Sequence, residues 1–171
     1  MTDEVPDQVP DQVADKAPEK SPKKPNMWAR RKARRALVQA AYQWQVSGTS
    51  IAQLRREFGE KALDKADADF FGEILHLMMT TTADLDEQLT PLLDRSIDQL
   101  DVVERGILRL AATEMIQRID VPYKVVIDEY VELTKLFGSQ DAHKYVNGVL
   151  DQLAQTARSI EVNAAKGSGR G

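Results

Sequence analysis

The stretch on which the fold turns is LDVVERGILRLAATEMIQR, Leu100–Arg118. Val102, Val103, Ile107, Leu108, Leu110, Ala111, Met115 and Ile116 cover most of the circumference of a helix. A helix that is apolar on most sides has little solvent face, so it belongs at the centre of a bundle. Around it lie further helical segments, with no strand-like alternation between turn signals and no internal repeat.

Working outward, Met27 to Val46 predicts a first helix that stops near Ser47-Gly48, and Ser50 can cap a second through Phe58. A third is expected over Asp67 to Leu89, and Pro91 suits the first turn of a short fourth piece. Beyond the central fifth helix, Pro122 opens a sixth that Gly138 closes. Ser139 or Asp141 caps a seventh, through about Arg158. The expected fold is all-α, a compact bundle of about seven helices over residues 27–160.

The ends differ from this middle. Residues 1–26 hold five of the seven prolines, many charges and almost no large apolar side chain, so they are expected to be disordered. Residues 161–171 are expected to form a flexible tail. The acidic, proline-rich start is unlike a secretory signal, and no apolar run approaches the roughly 20 residues that span a bilayer, so a cytoplasmic location without membrane contact is the default. The absence of cysteine rules out disulfides, thiolate catalysis and cysteine-based zinc sites.

The net charge is −4, so a nucleic-acid site would have to be a local patch. The densest candidate is Arg30-Arg31-Lys32-Ala33-Arg34-Arg35, with no acidic residue between Glu19 and Glu57. Cations near a helix start oppose the macrodipole, at up to about 1 kcal/mol per charge close to the end. That favours phosphate binding over a merely solvated basic face, though both readings remain open. On a helical wheel, Ala33, Leu37, Ala40, Ala41 and Trp44 share the core side, while Arg31, Arg34, Arg35, Val38 and Tyr42 fall opposite. Tyr42 is therefore expected to face outward, as a base-stacking or partner-anchoring side chain, or else to lie across a neighbouring helix.

A second dense stretch runs from Val121 through Phe137-Gly138-Ser139-Gln140-Asp141 to Leu150. A glycine turn leading into a capped helix can offer free N–H groups to an anion, with His143, Lys144 and Asn147 on the first turns. The alternative is a plain helix–turn–helix with a core-satisfying histidine and an inward asparagine. Enzymatic readings find little support. His76 and His143 lack paired-ligand spacing, and neither a GxxxxGK[ST] nor a GxGxxG loop occurs, so no catalytic residue, cofactor or metal is assigned.

RRKARRALVQAAYQWQ (Arg30–Gln45), VERGILRLAATEM (Val103–Met115) and VPYKVVIDEYVELTKLFGSQDAHKYVNGVL (Val121–Leu150) together resemble the NusB family of transcription antitermination factors, over about Ala29 to Ala157. The resemblance implies a seven-helix fold in two small subdomains. It further implies binding of single-stranded boxA RNA of ribosomal RNA leader transcripts together with the ribosomal protein NusE, within an elongation complex of RNA polymerase and other Nus factors. Arg30, Arg31, Lys32 and Arg34 match the family's RNA-binding motif, and Arg35 extends it. Tyr42 and Glu104 match positions associated with NusE. Asp141, Lys144 and Tyr145 match a region near the RNA path. Some relatives dimerise, so a homodimer is also open. Two other classes compete: a NusB-like accessory domain for RNA modification, and a helical bundle that binds only proteins. With about four phosphates neutralised, the slope of log affinity against log salt is expected near −3, at roughly −0.7 per contact.

Overall fold

The computed structural model describes residues 26–59 and 67–167. The expectation for the N-terminal extension, apart from Asn26, lies outside these residues, as do residues 168–171 of the tail. Among the described residues there are eight α-helices, two short 3-10 turns and no strand: α1 Met27–Ser47, α2 Ile51–Gly59, α3 Ala68–Thr80, α4 Thr82–Leu89, α5 Val102–Gln117, α6 Tyr123–Phe137, α7 Ala142–Ala157 and α8 Ser159–Gly167. The 3-10 turns are Thr90–Leu92, with Pro91 in its opening, and Ile97–Gln99.

α5 is the axis. It packs against α1 and α3 on one side, against α6 and α7 on another, and also against α4. Ile107, Leu108, Leu110, Ala111, Ala112 and Met115 lose all solvent contact there, as the apolar circumference of that helix requires. One continuous apolar cluster joins the two groups of helices through α5. Gly106 lets α5 lie close against α1. A Cβ on it would stand 3.0 Å from Gln45 Nε2 and 3.4 Å from the Ala41 methyl. Gln45 in turn donates to the Val102 carbonyl, fixing the end of α1 against the start of α5.

Three departures from the sequence reading have local causes. The expected third helix breaks at Thr81 into α3 and α4. Thr80, Thr81 and Thr82 each donate a hydroxyl hydrogen bond back to the carbonyl four residues earlier, at 2.8, 2.6 and 2.7 Å, and such back-bonding bends helices. Neither Ser139 nor Asp141 caps α7 with its side chain. The Ser139 hydroxyl donates instead to Glu104, and its carbonyl accepts from the Ala142 N–H. The third departure is α8, which forms where a flexible tail was expected. Buried Arg158 at the α7–α8 corner donates to the carbonyls of Met115, Val121 and Arg118, and to the Glu161 carboxylate. Glu161 then accepts the Tyr123 N–H at the start of α6, so α8 caps another helix. Gly138 ends α6 as expected; a Cβ there would lie 2.8 Å from the Thr134 carbonyl oxygen.

Candidate nucleic-acid interface

Asn26 caps α1 by accepting the N–H groups of Trp28 and Ala29, and no acidic residue occupies the first turn. Met27 begins the helix, so Arg30 to Arg35 lie one to two turns inside it. The macrodipole field fades within the first turn. The dipole penalty inferred from the sequence is therefore small here, and the argument for a phosphate site rests on which cations remain exposed.

The five basic residues divide into distinct environments. Arg34 was expected on the solvent face, but it is 3% exposed and belongs to the core. Its guanidinium makes three hydrogen bonds of 2.8 to 3.2 Å to the fully buried Glu114 carboxylate of α5. Burial alone would pull the Arg34 pKa down, but the hydrogen bonds and charge of Glu114 hold it well above its ordinary value. The Tyr130 hydroxyl, whose pKa burial drives well up, lies beside this pair. Arg34 is thus a structural ion pair unavailable to a phosphate. Val38, also expected outside, is buried because α1 is covered by α3, α5 and α6 together.

Arg30 is largely covered as well. It lies over the Phe70 ring at 4.9 Å and 3.6 Å from the Asp67 carboxylate at the α3 start. Its Nε is buried without a hydrogen bond. Arg31 is intermediate: its side chain is 48% exposed, yet Nε donates to Glu129 of α6 at 3.0 Å. Glu129 also approaches Arg34 at 4.0 Å. Lys32 and Arg35 are exposed, and no carboxylate among the described residues pairs with either. Arg31 and Arg35 line a concavity of about 500 Å³ between α1 and α6, together with Glu129, Glu132, Leu133 and Leu136.

Between the exposed end residues Met27 and Ser47, the exposed positions of α1 form one stripe: Trp28, Arg31, Lys32, Arg35, Gln39, Tyr42 and Val46. Steps of three and four keep them on one helix face. Tyr42 faces outward as expected, 48% exposed, beside a smaller concavity of about 240 Å³ lined by Val38, Gln39, Val103 and Phe137. Glu104, next to Val103 in α5, is only 9% exposed and accepts the Ser139 hydroxyl at 3.0 Å. It positions the α6–α7 turn beside Tyr42 rather than presenting an open carboxylate.

The remaining candidates are not gathered with the basic stripe. α5 and α6 pack against both α1 and α7, and no hydrogen bond or ion pair among the described residues joins the two sets. Asp141 and Lys144 are exposed and 4.0 Å apart. Tyr145 is tied to the loop before α5: its hydroxyl accepts the Asp94 N–H, and Arg95 stacks 5.4 Å from its ring. His143 is half-buried, and Asn147 is exposed rather than inward.

Sequence reasoning missed Trp28, Glu114 and Glu129. The i+3, i+4, i+7 spacing from Trp28 to Arg31, Lys32 and Arg35 was there to be read, whereas the two glutamates sit 80 and 98 residues from their arginines and carry no local signal.

The family model described as the NusB family matches residues 31–155. The transcription antitermination protein NusB of Alcanivorax borkumensis is 48% identical over 79% of this chain and 91% of its own length. A solved NusB of T. maritima aligns with a TM-score of 0.71 at 28% identity, over 78% of this chain and 96% of that one. A NusB chain solved with NusE and double-stranded RNA aligns at 0.69 and 27% identity, over 76% and 98%. On the extent of these matches, the chain belongs to the NusB family.

Proposed function

We propose that this chain is a cytoplasmic RNA-binding transcription antitermination factor that engages boxA RNA together with NusE. With RNA polymerase and other Nus factors it then suppresses premature termination of ribosomal RNA transcripts. The observation that carries this is the outer stripe of α1, where Arg31, Lys32 and Arg35 offer charge to phosphates and Tyr42, two turns beyond Arg35, offers an aromatic anchor. A related NusB has been solved with both NusE and RNA, which supports the pairing of partners. Two adjacent modest surfaces then act as one composite site, so each partner should raise affinity for the other. Arg30 and Arg34 hold the helix start in place; Asp141, Lys144 and Tyr145 form a more distant flank along which the strand can continue.

With Arg34 paired internally and Arg30 largely covered, three phosphate contacts remain on α1, and the salt slope is expected near −2 rather than −3. Fluorescence anisotropy of labelled boxA RNA against a scrambled control, with and without NusE across a salt series, tests the reading. The Lys32→Ala/Arg35→Ala variant should flatten the slope to about −0.7. A parent-like slope in that variant would remove the stripe as the site. A homodimer would cover the same Tyr42 face, so light scattering with and without NusE separates the two occupants.

A further inference from the structure

We propose that Trp28 is a stacking platform for an unpaired base of the bound RNA, at the end of α1 away from Tyr42. The inference rests on the RNA-binding reading above and adds to it a contact that electrostatics does not provide. Trp28 is 72% exposed and contributes nothing to the apolar core, so the fold has no evident need of it. Among the described residues its one ring contact is the Arg31 guanidinium, 5.6 Å from the ring centre, which joins the indole to the cationic stripe. Trp28, Arg31, Lys32 and Arg35 lie on one face, spanning about 10 Å at 1.5 Å per residue. No carboxylate is part of that stripe; Glu129 and Glu132 of α6 border it, Glu129 occupied by Arg31 and Glu132 by Lys135.

A large exposed aromatic beside unpaired cations complements single-stranded nucleic acid in both of its parts. The bases have π-faces that stack on indole or guanidinium planes, and the backbone has phosphates for Lys32 and Arg35. A duplex hides its base faces and would use only the cations. An acidic protein segment would also use the cations but would leave the indole without a flat partner.

The two tryptophans, Trp28 and Trp44, make the test direct. In a Trp44→Phe background the emission of the free protein should be that of an indole in water. It should be quenched on titration with single-stranded boxA RNA and not with a duplex of the same sequence. Trp28→Ala should weaken single-strand binding on the order of tenfold, leave duplex binding unchanged and leave the salt slope intact, because stacking releases no counterions. Trp28→Phe should retain most of the affinity. The inference is overturned if Trp28→Ala binds the single strand within twofold of the parent, or if the free protein emits as a buried indole. The underlying RNA-binding reading fails separately, and takes this one with it, if the parent shows no salt-dependent RNA binding at all.

Discussion

Arg34→Ala separates a structural arginine from an RNA-binding one, because the two roles predict opposite results. The guanidinium is almost fully buried and makes three hydrogen bonds to Glu114, whose side chain has no solvent contact. Removing it strands a carboxylate in the core, and breaking a buried pair in this way costs about 3–5 kcal/mol. For a chain of this size each kcal/mol moves Tm by roughly 2–4 °C, so Arg34→Ala should melt about 6–20 °C below the parent. The double variant Arg34→Met/Glu114→Leu replaces both charges with apolar groups and should recover most of that loss.

The assay is thermal and urea denaturation followed by far-UV circular dichroism, with RNA anisotropy measured at a temperature where every variant is folded. Under those conditions the double variant should retain the parent's salt slope, since neither residue meets a phosphate. A fully stable Arg34→Ala whose slope falls by about 0.7 would refute the assignment and return Arg34 to the RNA site.

Glu129→Gln should raise RNA affinity about two- to fivefold by releasing Arg31 from its ion pair, scaled to a half-exposed pair, and anisotropy on the boxA strand reads this directly. Tyr42→Asp should weaken NusE binding by titration calorimetry and leave helical circular dichroism unchanged; unaltered affinity would show that NusE docks elsewhere. Hydrogen bonding from Arg118 holds the Asp120 carboxyl at about 2, below its ordinary 3.8. The stabilisation from that pair is therefore complete above its ordinary pKa and disappears as the pH falls towards 2. The stability gap between parent and Asp120→Asn should accordingly be constant near neutrality and close between about pH 4 and pH 2 in urea melts; a gap of equal size at pH 2 would refute it.

The helices were legible because their signals are local. The apolar circumference of Leu100–Arg118 marked the central helix, and Gly138 marked the end of α6 for a reason visible in its contact with Thr134. The misreadings share a different cause. A helical wheel for α1 assumes one buried stripe, yet α3, α5 and α6 enclose the helix and bury Ala33, Arg34, Ala36, Leu37, Val38, Ala40 and Ala41. How many neighbours a helix has is a property of the tertiary fold, and so is the position of a counter-ion such as Glu114. α8 escaped notice because its anchor is polar: Arg158 seeks backbone carbonyls from the α5–α6 corner, and only Val162 of α8 itself is buried.

This redistribution changes how much work the cationic cluster can do. Over a fourfold rise in salt, from 50 to 200 mM, four phosphate contacts lose about 50-fold in affinity and three lose about 20-fold. If Arg31 stays on Glu129, two contacts remain and the loss is only about sevenfold. On the proposed reading, α1 alone would offer RNA a shallow, tunable hold, adjusted by whether Glu129 keeps or yields Arg31. The Tyr42 end of the same stripe is largely apolar, with Val38, Val103 and Phe137 around it, and salt screens such contacts little. A partner seated there contributes binding energy where the cations are weakest, so its effect on RNA affinity should count most at high salt.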